Sequence, residues 1–192
     1  MPRVILASAS PRRKELLNQI GVDCQTQPVD IDESVLANES ASLYVERLAR
    51  EKAQAGFDRF GDKDSVVIGS DTSVVVDGDI LGKPLDQADA IRTLLRLSNR
   101  THQVMTGIAI ATSDGVKSQV VTTDVTFKAL SEEECERYWA TGEPVDKAGS
   151  YGIQGKAAVF VTGISGSYSS VVGLPLCETA DLLESVGVHL WS

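Results

Sequence analysis

Two adjacent arginines, Arg12 and Arg13, stand where the sequence predicts the first turn of a helix. Ser10 is a preferred N-cap residue, Pro11 suits the first helical position, and Gly21 suits the position just beyond the end. The unpaired N–H groups and the dipole already make this end of a helix positive, so two cations there are unfavourable unless an anion joins them. The pair therefore predicts a phosphate-binding site. The alternative is that both side chains point into solvent.

A lysine falls on the apolar face of a second predicted helix. Ser40 can cap that helix, and its apolar stripe runs at three-and-four spacing through Tyr44 and Leu48 to Lys52. A lysine at the end of such a stripe either extends its ammonium group to water or reaches a phosphate as a point charge. The stripe leaves both interpretations open.

A carboxylate interrupts a long β-branched run. Asp71 lies within residues 65–76, where apolar residues on both faces are typical of a buried central strand. Because an unpaired carboxylate is costly there, Asp71 must meet a cation, a metal ion or several hydrogen-bond donors. Backbone amides at a bulge, which Gly69 permits, are the structural alternative. The polar residues beside Asp71 favour a functional carboxylate.

Acidic residues follow the second predicted strand, at Asp30, Asp32 and Glu33. Such a cluster is usually a solvated loop, but Mg²⁺ takes one or two carboxylates together with phosphate oxygens. One of these acids with Asp71 would supply that pair. The chain's two histidines are too widely separated for a zinc site.

Two further segments have the composition of ligand-binding loops. Lys83 lies between a glycine and a proline, which makes its loop stiff. Gln154 lies in the glycine-rich residues 146–155, and its amide can both donate and accept hydrogen bonds. Glycine-rich turns without any ligand are the alternative for both segments.

Composition limits the kinds of partner. The 192 residues are enough for one domain with an ordinary core. The net charge of −9 argues against a general nucleic-acid or anionic-membrane binder and favours a small anionic ligand held by a few placed cations. Three scattered cysteines indicate a reducing compartment, and no run has the length of a signal peptide or a membrane span. We expect a cytoplasmic protein.

Alternating predicted elements indicate an α/β fold. Strand-like runs occur at residues 3–7, 23–29, 65–76, 103–112, 118–128 and 158–163, and helical patterns at residues 11–20, 40–57, 86–97, 131–141 and 176–186. Turn sequences at residues 77–79 and 113–115 predict hairpins, and hence a mixed sheet. Residues 142–155 and 163–173 are expected to be ordered loops.

Taken together, these residues resemble the Maf family of nucleoside triphosphate pyrophosphatases. The motifs that carry the resemblance follow one another along nearly the whole chain: residues 8–13, Glu33, and residues 49–53, 69–72, 82–84, 102–107 and 146–155. The resemblance implies the fold of inosine triphosphate pyrophosphatases, an elongated mixed sheet flanked by helices with two lobes around a cleft, as a single domain over residues 1–192. It also implies a homodimer and a divalent cation, Mg²⁺ or Mn²⁺.

The resemblance implies hydrolysis of a nucleoside triphosphate to the monophosphate and pyrophosphate. Asp71 would be the general base for the attacking water and, with Glu33, would help to hold the metal ion. The triphosphate would be bound by the backbone around Ser10 and by four cations, Arg12, Arg13, Lys52 and Lys83.

The resemblance also implies a substrate. Arg13, Thr72 and Gln154 match the specificity positions of the subgroup that acts on dTTP and UTP, whereas the sister subgroup that acts on 7-methyl-GTP differs there. One departure is Ser70, where many family members have alanine or another small residue.

Two rival functions would use similar residues. Aspartyl-phosphate phosphatases also place an aspartate at a strand end, but they need a second aspartate two residues on, where this chain has Ser73. A non-catalytic nucleotide sensor that regulates cell division would bind the same ligand without turnover. Release of pyrophosphate from UTP distinguishes the sensor from the enzyme.

Overall fold

The computed structural model describes residues 2–191, in which strands and helices alternate. The strands are β1 (Arg3–Leu6), β2 (Gln25–Thr26), β3 (Ser65–Val76), β4 (Asp79–Leu81), β5 (Thr101–Thr112), β6 (Gly115–Phe127) and β7 (Val161–Ser165). The α-helices are α1 (Pro11–Gln19), α2 (Ala41–Phe60), α3 (Gln87–Leu97), α4 (Glu132–Trp139), α5 (Tyr168–Val172) and α6 (Leu176–Glu184). Short 3-10 helices cover Glu143–Asp146, Ala148–Ser150 and Lys156–Phe160.

One mixed sheet contains the seven strands found within residues 2–191, in the order β2-β1-β3-β5-β6-β7, with β4 paired to β3. Strand β1 is parallel to both of its neighbours, and Ile5 pairs with Gln25 on one side and Val67 on the other. Strand β4 is antiparallel to β3, and β7 is antiparallel to β6. The predicted mixed α/β fold is therefore confirmed.

Internal contacts divide the chain into two compact units. Unit 1 takes the chain up to Asp71, Thr106–Val121 and the chain from Gly173 onward, and unit 2 takes Thr72–Met105 and Thr122–Val172. The division falls within strands β3, β5 and β6, so Asp71 and its neighbour Thr72 are assigned to different units. None of the helices in the described part of the chain is long and apolar enough to cross a membrane.

Small residues let helix α2 approach the sheet of unit 1 very closely. Ala49 and Ala53 are fully buried in a cluster with Ile5 of β1 and Val67 of β3. A Cβ atom at Gly69 of β3 would lie 2.2 Å from the carbonyl oxygen of Ala49 and 2.5 Å from the amide nitrogen of Ala53. Only glycine therefore fits beneath the helix at this point of the strand.

Capping explains why the two functional helices begin where the sequence predicts. The Ser10 hydroxyl accepts a hydrogen bond from the amide of Arg13, and the Ser40 hydroxyl accepts one from the amide of Leu43. Gly21 follows α1 with a φ of +78°, the left-handed conformation expected just beyond a helix end.

Several predicted boundaries were wrong. Only Gln25–Thr26 of the expected strand at 23–29 pairs with β1, and Pro28 lacks the amide that would extend the pairing. The expected strand at 158–163 begins only at Val161, because residues 156–160 form a 3-10 helix that buries Ala157 and Phe160. The expected loops at 142–155 and 163–173 contain 3-10 helices and α5, respectively.

We expect Gly69→Ala to lower the free energy of unfolding by about 3 kcal/mol, because the new methyl group would meet helix backbone that cannot rotate away. Denaturation in urea measures this change. Gly163→Ala in β7 is the matched control, since a Cβ there meets no atom within 4 Å. Equal stability of the two variants would contradict the close approach of α2 to β3.

Candidate functional site

The ammonium group of Lys52 lies between two carboxylates in unit 1. Its Nζ donates to Oδ1 of Asp71 at 2.9 Å and lies 2.8 Å from Oε1 of Glu33. The side chains of Lys52 and Asp71 are only 12% and 14% exposed, whereas that of Glu33 is 57% exposed. Asp71 thus has a cation as its partner, one of the kinds of partner that the sequence leaves open, and the interpretation of Lys52 as a side chain extended to water is wrong.

The packing of α2 on β3 brings these two side chains together. Lys52 lies three residues after Ala49 and one before Ala53, on the helix face that covers the sheet. Asp71 lies two residues after Gly69 and therefore shares its face of the strand. Because Gly69 has no side chain, helix α2 packs directly against strand β3. The ion pair of Lys52 and Asp71 lies next along the same face.

Glu33 reaches Lys52 from a loop that is fixed by its own hydrogen bonds. The hydroxyl of Tyr44 donates to the carbonyl oxygen of Glu33 at 2.7 Å, and the guanidinium of Arg47 donates to that of Ser34 at 2.9 Å. Asp32 instead accepts a hydrogen bond from the amide of Ser34, and its hydrogen bonds to Ser34 lower the pKa of its carboxyl group. Glu33 is thus the acidic residue of this loop that pairs with Lys52.

Arg13 does not point into solvent. Its Nε donates to the carbonyl oxygen of Gly173 at 2.7 Å and its Nη1 to the hydroxyl of Ser8 at 3.3 Å. Burial lowers the pKa of the Arg13 guanidinium, while the charges of Asp71 and Glu33 act to raise it. An arginine has so high an intrinsic pKa that it keeps its charge, so unit 1 places a half-buried cation within the field of both carboxylates.

Arg12 differs from its neighbour. It is half-buried, and its side chain makes no hydrogen bond or ion pair with the described residues, 2–191. Arg12 belongs to the first turn of α1, where the free backbone N–H groups also favour an anion. The end of the helix therefore keeps the unbalanced positive charge that the sequence indicates.

The carbonyl oxygen of Gly173 links the arginine to strand β3. It accepts a hydrogen bond from Arg13 and lies 3.1 Å from the hydroxyl of Ser70, which is fully buried and also lies 2.9 Å from the carbonyl oxygen of Gly107. Sequence reasoning missed Gly173, because nothing local marks a carbonyl that is 160 residues away from its partner. Ser70 carried a visible signal, a polar residue beside Asp71 in an apolar strand.

The other predicted substrate residues belong to unit 2. Lys83 and Gln154 are exposed, and Thr72 is half-buried. The amide of Gly149 donates to the carbonyl oxygen of Gly82 at 3.1 Å, which joins the glycine-rich segment to the residue before Lys83. The roles of Thr72, Lys83 and Gln154 stay predictions.

Gly149 also packs against strand β3. It has a φ of +69°, and a Cβ there would lie 2.8 Å from the side chain of Val74. Since Val74 lies two residues after Thr72, contacts within unit 2 connect the segments that carry Thr72, Lys83 and Gln154.

His102, part of the motif at residues 102–107, has a structural place in unit 2. Its Nε2 lies 2.6 Å from the hydroxyl of Tyr151, and its ring meets those of Tyr151 and Phe127 edge-on. Burial lowers the pKa of His102 to about 4, so the imidazole is neutral at pH 7. His102 thus contacts the segment that carries Gln154 at Tyr151, three residues before the glutamine.

Comparison with known proteins decides the family. The profile of the family described as "Maf-like protein" matches residues 3–186. The chain belongs to the Maf family. The predicted resemblance is therefore confirmed.

Two relatives of this Maf chain are named for an enzymatic activity. It is 59% identical over 182 residues to a dTTP/UTP pyrophosphatase of Pseudoalteromonas translucida, covering 95% of this chain and 96% of that protein. It is 53% identical over 191 residues to a dTTP/UTP pyrophosphatase of Hahella chejuensis, covering 99% of this chain and 95% of that protein.

Among solved structures, the Maf chain is similar to the Ham1 protein of Staphylococcus aureus. The TM-score is 0.49 and the identity 18%, over 65% of this chain and 71% of that one.

Glu33 and Asp71 fit a hard divalent cation such as Mg²⁺ or Mn²⁺. Both carboxylates already converge on one cationic group, the ammonium of Lys52. Across residues 2–191, no group of three or more histidine, cysteine, aspartate or glutamate side chains is arranged to hold a metal ion. Because Mg²⁺ is commonly bound by one or two carboxylates with phosphate oxygens and water, this pair suits an ion that binds together with a triphosphate.

We expect Lys52→Met and Asp71→Asn each to destabilise the fold, because each leaves a largely buried group without its partner. The double variant should lose less than the sum of the two, by about 1–2 kcal/mol, when unfolding free energies are measured in urea. The exposed pair Glu133 and Arg137 of α4 is the matched control and should couple weakly. Additive losses at Lys52 and Asp71 would contradict the pairing.

Proposed function

We propose that the protein is a nucleoside triphosphate pyrophosphatase that hydrolyses dTTP and UTP to the monophosphate and pyrophosphate. The observation that carries the proposal is the cluster in unit 1, where Lys52 joins Asp71 to Glu33 and the half-buried Arg13 lies in the field of both carboxylates. The two relatives described above are named for the same activity. Such an enzyme needs cations to bind the triphosphate and a carboxylate to accept a proton from water.

The positive side of the cluster binds the triphosphate. Phosphoryl transfer asks a protein mainly for positioning and for neutralisation of charge. The guanidinium groups of Arg12 and Arg13, with the backbone N–H groups that follow Ser10, suit this task at the N-terminus of α1. The ammonium group of Lys52 donates to Asp71 and forms an ion pair with Glu33, and a lysine has three N–H groups, so it can also donate to a phosphate oxygen. Lys83 is a further cation that would bind the triphosphate.

The negative side activates the water. Asp71 accepts a proton from the water as the water oxygen forms a bond to a phosphorus atom of the α–β anhydride; the bond from that phosphorus to the bridging oxygen breaks, and the monophosphate and pyrophosphate separate. The hydrogen bond from Lys52 fixes the orientation of this carboxylate. Asp71 and Glu33 would hold the divalent cation, which, when bound, supplies polarisation of the phosphate and of water.

Base selection is assigned to Arg13, Thr72 and Gln154. The amide of Gln154 is exposed and can present a donor and an acceptor together. Uracil and thymine show a carbonyl oxygen beside an N–H group, and cytosine reverses this pattern. A fixed glutamine therefore favours UTP and dTTP over CTP.

The organisation of the protein follows from the same proposal. The family match spans residues 3–186 and so includes both units, which supports one catalytic domain. The three cysteines are free thiols, which fits a cytoplasmic enzyme. The homodimer stays a prediction from the family resemblance.

Purified protein with Mg²⁺ or Mn²⁺ should hydrolyse UTP and dTTP well, and CTP and purine triphosphates poorly. Gln154→Ala should narrow the preference for UTP over CTP more than it lowers the overall rate, because a readout by hydrogen bonds depends on that amide. Phosphorus NMR should identify the products as UMP and pyrophosphate, and the rates follow from pyrophosphate release.

The exposed Gln119 of β6 offers a matched control, and Gln119→Ala should leave the preference unchanged. Equal hydrolysis of UTP, CTP and GTP would contradict the assignment to dTTP and UTP but not the pyrophosphatase activity. A preference for 7-methyl-GTP would favour the sister subgroup. Nucleotide binding with no turnover would favour a sensor.

A further inference from the structure

Gln154 lies on a tight turn in unit 2. The turn consists of residues Gly152–Gly155 and is closed by a hydrogen bond from the amide of Gly155 to the carbonyl oxygen of Gly152, at 3.1 Å. Ile153 is buried beneath it, whereas Gln154 is exposed. The direction in which the Gln154 side chain leaves the backbone therefore depends on the contacts that hold this turn.

Tyr138 and Glu143 hold both ends of the turn. The Tyr138 hydroxyl accepts a hydrogen bond from the amide of Gly152 at 3.3 Å and donates one to Oε1 of Glu143 at 2.9 Å. Oε2 of Glu143 accepts a hydrogen bond from the amide of Lys156 at 2.9 Å. One pair of side chains thus fastens the first residue of the turn and the residue just after its end.

Tyr138 and Glu143 also make close packing contacts, in addition to their hydrogen bonds. A Cβ atom at Gly155 would lie 2.2 Å from Oε1 of Glu143, so the carboxylate lies directly against the backbone of the turn. Tyr138 is buried and its ring packs edge-on against Phe160.

The carboxyl group of Glu143 is ionised, which makes it a strong hydrogen-bond acceptor. Burial acts to raise the pKa of its carboxyl group, but hydrogen bonds from the Lys156 amide, the Tyr138 hydroxyl and the Ala157 amide, with the charge of Lys147, together lower it. At neutral pH the group is therefore an ionised acceptor, and hydrogen bonds to a charged acceptor are stronger than neutral ones.

We infer that Tyr138 and Glu143 are positioning residues for base selection, acting through the turn that carries Gln154. The inference rests on the proposed function, because it needs Gln154 to contact the base. A glutamine amide that rotates freely can suit uracil in one orientation and cytosine in the other. A fixed turn holds the backbone of Gln154 at one position relative to the base, and this pair of side chains fixes the turn, so loosening the turn should reduce the selection of UTP over CTP.

The test compares kcat/KM for UTP and for CTP in the unaltered protein, Glu143→Ala, Tyr138→Phe, Gln154→Ala and the double variant Glu143→Ala/Gln154→Ala. The preference for UTP should narrow by about tenfold in Glu143→Ala, and by a smaller factor in Tyr138→Phe, which removes one hydroxyl. The kcat for UTP should change little, because Tyr138 and Glu143 touch no reacting atom. In the Gln154→Ala background, Glu143→Ala should have no further effect on the preference.

Glu136→Ala is the matched control, since Glu136 is an exposed residue of the same helix as Tyr138. Tyr138→Phe keeps the buried ring, so it decides the question if Glu143→Ala fails to fold. An unchanged preference in a folded variant would overturn the inference, and so would a narrowing that persists undiminished without Gln154. Failure of the unaltered protein to hydrolyse UTP would instead overturn the proposed function.

Discussion

The site depends on an ion pair that forms where a helix presses against a strand. Lys52 and Asp71 are both largely buried, and a charge in such a place is tolerated only when it is paired. The pairing needs helix α2 to lie close enough for a lysine to meet a strand carboxylate, and Gly69 with the alanines of α2 provides that approach. A packing feature of the core thus determines the position of the group assigned to the chemistry.

The positive half of the site is built by a different kind of constraint. Arg13 is held by the carbonyl oxygen of Gly173, which also lies within hydrogen-bonding distance of the buried Ser70 beside Asp71. The same short stretch of strand β3 therefore positions both Arg13 and Asp71, although the two residues come from distant parts of the chain. A fixed arrangement of opposite charges lowers the cost of assembling them around a substrate.

Local chemistry made part of this predictable. Spacing and expected burial predict the caps at Ser10 and Ser40, the inward position of Lys52, and the need of Asp71 for a cation, a metal ion or several hydrogen-bond donors. The sequence could not show that Lys52 is that cation, nor that Glu33 rather than Asp30 or Asp32 joins it, because these contacts depend on tertiary packing. Two further features could not be predicted from the sequence. The role of the Gly173 carbonyl oxygen is not marked by any residue type, because every residue has a backbone carbonyl. The apolar run at Lys156–Phe160 fits a 3-10 helix as well as a strand.

The central claim is that Asp71, oriented by Lys52, takes the proton from the attacking water. Its most direct test is the kcat of Asp71→Asn for UTP, with the affinity for a non-hydrolysable UTP analogue measured in parallel and Asp124→Asn, an exposed strand aspartate, as the control. The account predicts that kcat falls by about 10²–10⁴-fold while the analogue still binds. A near-normal kcat in the folded Asp71→Asn protein would contradict it.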